Sequence, residues 1–193
     1  MGIEYELKYR ATEQTLEAIR QAFPGEEQHF SMETTYFDTP TGALSARLYT
    51  LRQRMENGLS VCTLKAPISG QGRGEWEFSC NNIQAAIPEL CKLGAPGDLA
   101  ALTSEGIYPI CGAKFHRIAK RLTLGETTVE LALDSGILLG GGQALPLCEV
   151  EVELKSGTPT ACAAFAHTLA AKFHLQPETR SKFRRALALY KGE

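Results

Sequence analysis

No stretch of these 193 residues runs long enough without a charge to cross a bilayer as a helix. The N-terminus Met1-Gly2-Ile3-Glu4 has neither the basic segment nor the apolar one of a secretory leader, so none is expected and the expected location is cytoplasmic. An excess of either charge is also missing. Twenty basic residues against 22 acidic ones leave a net charge of −2, which speaks against a nucleic-acid-binding surface and a polybasic membrane patch. The six cysteines form no CxxC pair, and the four histidines stand at no zinc-like offset from them. Reduced, buried thiols are therefore expected rather than a disulfide framework or a zinc site. No Gly-Lys-Ser/Thr follows a strand-like segment, so a Walker A loop is absent. Nor does a Ser/His/Asp or Cys/His order stand out, and covalent catalysis is not expected.

What is present is alternation. The length suits one domain over 1–193, and the 44% hydrophobic content is ordinary for a globular chain. Extended segments are predicted at about 3–10, 34–37, 46–55, 59–65, 75–79, 114–124, 127–134 and 147–154. They are punctuated by Asp38-Thr39-Pro40-Thr41-Gly42, Glu56-Asn57-Gly58, Ser69 to Gly74, Gly125-Glu126 and Gly140-Gly141-Gly142. Helices are predicted at 12–23, over 82–102 with an interruption at Gly94-Ala95-Pro96-Gly97, at 160–173 and at 181–190. Hairpin connections imply antiparallel pairing. The expected fold class is α+β: eight antiparallel strands closed into a barrel with flanking helices.

The alternation puts charges together. Glu4-x-Glu6-x-Lys8 shares one strand face, with Tyr5, Leu7 and Tyr9 opposite. By itself this pattern fits a solvent-facing strand. Glu149, Glu151 and Glu153 repeat it, with Val150, Val152 and Leu154 on the other face. Like charges on strands repel, so two such strands need a compensating cation. A hard divalent ion with oxygen ligands, Mg²⁺ or Mn²⁺, suits carboxylates better than zinc does. Glu130-Leu131-Ala132-Leu133-Asp134 is a third acidic strand. Basic residues alternate too: Arg52 with Arg54, Lys65 with Thr63, and Arg73 in phase with Glu75 and Glu77. Arg117 shares parity with Phe115 and Arg121, a face the sequence leaves undirected. With cations on the carboxylates, these bases are free to grip an anion, and guanidinium forks match phosphate.

In order along the chain, Glu4-Tyr5-Glu6-Leu7-Lys8, Tyr36-Phe37-Asp38-Thr39, Leu51-Arg52-Gln53-Arg54, Thr63-Leu64-Lys65, Arg73-Gly74-Glu75-Trp76-Glu77, Glu130 to Gly136, Cys148 to Gly157 and Ser181-Lys182-Phe183 resemble the motifs of the CYTH superfamily, the triphosphate tunnel metalloenzymes. The strand from Cys148 is similar to that of bacterial inorganic triphosphatases. The resemblance implies an eight-stranded antiparallel tunnel and hydrolysis of inorganic triphosphate. It implies Mg²⁺ or Mn²⁺ on Glu4, Glu6, Asp134, Glu149 and Glu151, with Glu153 behind them. Lys8, Arg52, Arg54, Lys65, Arg117 and Lys182 would contact the triphosphate. Glu4, Glu6, Lys8 and Glu151 carry the catalytic expectation. Arg73, Glu75 and Glu130 carry over less directly, and Phe183 stands where the family has Tyr. No appended helical domain is expected after the tunnel.

Rival readings stay open at this level. The same pocket could take thiamine triphosphate or a nucleoside triphosphate, or cyclise ATP through its own 3′-hydroxyl. A non-catalytic polyphosphate-binding module would tolerate loss of the carboxylates, and a barrel with ordinary surface salt bridges would use none of them. A small-molecule triphosphate is the expected partner, with no nucleic acid or membrane, and a homodimer is left open.

Overall fold

The computed structural model describes residues 5–68 and 72–193. Glu4 and residues 69–71 of the Gly-rich turn lie outside them. The chain runs β1 (Glu6–Arg10), α1 (Glu13–Ala22), β2 (Gln28–Asp38), α2 (Ala43–Ala46), β3 (Thr50–Glu56), β4 (Leu59–Ile68), β5 (Gly72–Ser79), α3 (Ile83–Lys92) and α4 (Leu99–Leu102). It continues through β6 (Tyr108–Leu124), β7 (Thr127–Gly140), β8 (Gln143–Ser156), α5 (Pro159–Phe173), β9 (Gln176–Pro177) and α6 (Lys182–Lys191). The strands form one antiparallel sheet in the order β5-β4-β3-β2-β6-β7-β8-β1-β9. Each of the eight expected strands is present, joined by the two-residue β9. Among the described residues no ladder joins β5 to β9, so closure into a barrel is not detected.

The turns follow from backbone chemistry. Asn57-Gly58, with φ 49° and 85°, links β3 to β4, and Gly141-Gly142, with φ 58° and 75°, links β7 to β8. Left-handed backbone at both central positions matches the twist of the strands flanking a two-residue hairpin loop. Several expected bounds need correction, since β6 begins at Tyr108, β7 runs on to Gly140 and β8 begins at Gln143, and two further differences have a clear cause. The segment from Ala46 is not extended throughout, because a helical turn precedes β3. The buried Asp38 carboxylate accepts the backbone N–H groups of Thr39, Leu44 and Ser45 at 2.7, 2.9 and 3.1 Å, which winds that turn. β2 also begins at Gln28, six residues before the predicted strand, because it pairs with β6 along its full length.

In-register partners share a face, so the sheet has one apolar side and one charged side. On the apolar side Leu51, Cys62, Leu64 and Trp76 pack with Ile87 and Leu90 of α3 and Leu99 of α4. Farther along, Tyr9, Leu131, Leu133, Val150 and Val152 pack with Leu16 and Ile19 of α1 and with Cys162, Ala166 and Leu169 of α5. A fully buried Leu or Val side chain contributes about 1.5–3 kcal/mol, so these two layers anchor the strands. The third cluster lies on the charged side. Tyr36, Cys111, Ala113, Leu138 and Leu147 pack there against Ala186, seating α6 across one end of that face. Gly140 makes the seat close: a Cβ there would collide with the Ala186 carbonyl oxygen and stand 2.7 Å from the Tyr190 nitrogen. No helix among the described residues is long and apolar enough to cross a membrane.

Candidate active site

Period-two alternation places Glu149, Glu151 and Glu153 of β8 on the charged face, and registry assembles the rest. Asp134 stands opposite Glu149, Glu130 opposite Glu153, Arg117 opposite Asp134, Lys8 opposite Glu151 and Glu6 opposite Glu153. Arg117 therefore faces the acidic strands, which settles the direction its parity left open. Asp134, Glu149 and Glu151 are buried, and their nearest oxygens all lie within 4.8 Å of one another. Three ionised groups this close and this dry require cations.

The chain supplies some of that charge. The Lys182 ammonium is 2.8 Å from Asp134 Oδ2, 2.6 Å from Glu149 Oε2 and 2.7 Å from Glu151 Oε1. Arg117 donates two 2.7 Å bonds to Asp134 in the bidentate fork and one of 2.5 Å to Glu151 Oε2. Arg185, one turn after Lys182 on α6, donates to Glu149 Oε1. Burial alone would raise the Glu151 carboxyl, yet Lys182, Arg117 and Lys8 outweigh it and hold Glu151 below the usual carboxylate range. Burial likewise works against charge on Lys182 and Arg117, but the facing carboxylates raise both. One oxygen stays badly served. Lys182 approaches Glu149 Oε2 without hydrogen-bond alignment, so among the described residues this buried acceptor has no proper donor.

Glu6 and Lys8 sit beside this cluster. Lys8 donates to Glu6 at 2.8 Å, and burial works against its charge while Glu6 and Glu151 raise it. Lys155 spans Glu153 and Glu130 at 2.8 and 3.4 Å. The second basic group lies farther across the same face. Arg52 and Lys65 each reach Glu75 at 3.3 Å, and Arg54 reaches Glu56 at 3.1 Å. Burial, then repulsion from Arg52, lowers Arg54. Among the described residues the buried Nε atoms of Arg52 and Arg54 have no acceptor. Arg73 is spent elsewhere, since it donates to the Leu48 and Lys65 carbonyls and to Thr50 Oγ1. Glu4 falls outside the described residues.

Sequence reasoning missed Arg185 and Glu178. Glu178, buried just after β9, accepts from Arg10 at 2.7 Å and lies 3.9 Å from Arg185. Arg185 had a usable signal, its i+3 spacing from Lys182 on one helix face. Glu178 had none, because only the fold brings it to Arg10. The Phe183 ring packs on Tyr36 with centroids 5.0 Å apart, so the absent hydroxyl leaves the aromatic contact intact.

Carboxylates and bases share one sheet face beneath the basic helix α6, and Asp134, Glu149 and Glu151 together have the donor chemistry of a divalent-cation site. The CYTH domain model matches residues 2–187, and the chain belongs to the CYTH family. It is 28% identical over 167 residues to an inorganic triphosphatase of Haemophilus influenzae, covering 85% of this chain and 47% of that protein. The chain thus spans about half the length of that curated relative. A Hippeastrum candidate adenylyl cyclase that reveals a dominant triphosphatase activity has a similar fold, with TM-score 0.64, 18% identity and coverage of 98% and 96%. A candidate adenylate cyclase of Bacillus halodurans gives TM-score 0.62 at 18% identity, covering 95% and 96%.

Proposed function

We propose that the protein is a metal-dependent triphosphatase acting on inorganic triphosphate, which it splits to pyrophosphate and phosphate. The observation that carries this reading is the buried Asp134–Glu149–Glu151 cluster facing Lys8, Arg117 and Lys182, with Arg52, Arg54 and Lys65 on the same sheet face. The donor chemistry fits Mg²⁺ or Mn²⁺: three carboxylates, one with an oxygen lacking a proper donor, and no histidine or thiol among them. Glu4 and Glu6 would add ligands from β1 and the residues before it. When bound, the ion supplies charge neutralisation on bridging phosphate oxygens and lowers the pKa of water. Residues 1–193 would form one unit, and the sheet would curl into a tunnel around the phosphate chain.

The chain's own residues then position and stabilise. Arg52 and Arg54 have buried Nε donors to spare, and Lys65 adds a point charge beside them. Lys8, Arg117 and Lys182 flank the carboxylates, where charge accumulates as the oxygen of water bonds to the terminal phosphorus and the P–O–P link to pyrophosphate breaks. Stabilising that charge in a dry site is most of what phosphoryl transfer asks of a protein. Glu151, in contact with Lys182 and Arg117, would serve as a ligand to the ion, and the proton of the attacking water would pass to solvent or to the released phosphate. The Haemophilus similarity supports inorganic triphosphate, and the Hippeastrum and Bacillus neighbours motivate testing ATP. The test offers tripolyphosphate, thiamine triphosphate and ATP with Mg²⁺ or Mn²⁺, scoring phosphate and cyclic AMP. Fastest release from tripolyphosphate, abolished in Glu4→Gln and Glu151→Gln, is expected. Undiminished turnover in both variants, or cyclic AMP as the main product, would overturn the assignment.

A further inference from the structure

The carboxylates at the centre of the site already have counterions of their own. Asp134, Glu149 and Glu151 face three cationic side chains, Arg117, Lys182 and Arg185, so among the described residues these charges cancel. These cations are not equivalent. Arg117 is forked onto Asp134, and Arg185 approaches the far oxygen of Glu149 while also lying near Glu178. Among the described residues Lys182 alone touches one oxygen of each carboxylate, all within 2.8 Å, which is how a shared cation sits. Its hold is a bare ammonium on a flexible stem, with the Phe115 ring 5.1 Å away as another surface for the charge.

We infer that Lys182 is a built-in stand-in for the catalytic cation, one that a divalent ion must push aside, so that metal and polyphosphate load together rather than in turn. The inference rests on the proposed triphosphatase reading and adds the order of assembly. A divalent ion arriving alone places two extra positive charges in a buried, already neutral cluster and also sets free the Lys182 ammonium; both are costly in a dry site. A polyphosphate arriving at the same time absorbs both, because it is strongly anionic and gives the displaced ammonium an acceptor. Linkage makes the effect reciprocal: whatever tightens the metal for the polyphosphate tightens the polyphosphate for the metal by the same factor.

The test measures Mn²⁺ binding by calorimetry and by electron paramagnetic resonance, for the unaltered protein and for Lys182→Met, with and without non-hydrolysable imidotriphosphate. The unaltered protein is expected to bind Mn²⁺ weakly alone and on the order of 5–150-fold tighter with the analogue. Lys182→Met, which keeps the stem and drops the charge, should bind Mn²⁺ alone about tenfold tighter or more and lose most of the coupling. A second readout needs no variant to fold well. The Lys182 ammonium should give a protected ¹⁵N resonance in the unaltered protein that moves when Mg²⁺ and the analogue are added together. If Mn²⁺ binds both proteins equally, or the ammonium signal stays fixed while Mg²⁺ and the analogue bind, the exchange is wrong and the triphosphatase reading survives. If neither protein binds Mn²⁺ with or without the analogue, both readings fall.

Discussion

Replacing Arg185 by Met tests whether the buried ion network holds the site together. Arg185 is buried, as are its partners Glu149 and Glu178. Methionine keeps an unbranched apolar stem, so packing against the sheet is largely preserved and the loss is one of charge. Removing one partner of a buried pair costs about 3–5 kcal/mol, because the other charge is left uncompensated. Here Glu149 retains Lys182 and Glu178 retains Arg10, which places the expected loss toward about 3 kcal/mol. For a chain of this size about 2–4 °C is lost per kcal/mol, so the midpoint should fall by about 6–12 °C. Thermal unfolding followed by circular dichroism, without added metal, is the assay. A fall of less than about 3 °C would refute the idea that Arg185 is an obligatory counterion.

The seat of α6 gives a second expectation. Gly140→Ala places a methyl against the Ala186 carbonyl and the Tyr190 nitrogen, so α6 must lift or the strand must bend. About 1–3 kcal/mol of stability should be lost, together with part of the proposed triphosphatase rate, since Lys182 moves with the helix; an unchanged melting curve would contradict this. The third expectation concerns acid. Burial would raise the Glu178 carboxyl, but the Arg180 backbone N–H, Arg10 and Arg185 outweigh it and hold it at about 2, against an ordinary 4.5. A folded value below the unfolded one contributes stability that is fully present above about pH 4.5 and is lost as pH falls toward 2. Between those limits the unaltered protein should lose midpoint temperature more steeply than Glu178→Gln, and parallel curves would show that the carboxylate contributes nothing.

The legible part of this molecule was whatever obeys a short period. Glu149-x-Glu151-x-Glu153 and Glu130-x-x-x-Asp134 declare both the strand and the face, and registry in the sheet turns those two statements into one cluster. Hairpins at Asn57-Gly58 and Gly141-Gly142 were equally plain, since left-handed backbone favours those residues. Tertiary packing decided the rest. Nothing local to Lys182 or Arg185 states that α6 lies across the charged face; Gly140, Leu138 and Leu147, some forty residues earlier in the chain, arrange that by packing against it. The α2 turn was hidden for a similar reason, because its winding depends on the Asp38 carboxylate reaching forward to Leu44 and Ser45. Arg73 shares a face with Glu75 and Glu77, as its spacing declares, while the partners of its guanidinium, two backbone carbonyls and Thr50, are set by the fold alone.

The most direct check on the site is crystallographic. A crystal grown with Mn²⁺ and imidotriphosphate, measured at the manganese absorption edge, should show an anomalous peak bounded by Asp134, Glu149 and Glu151, with the Lys182 ammonium turned away toward phosphate oxygen. Manganese found only at surface carboxylates, with Lys182 still seated among those three side chains, would contradict the account.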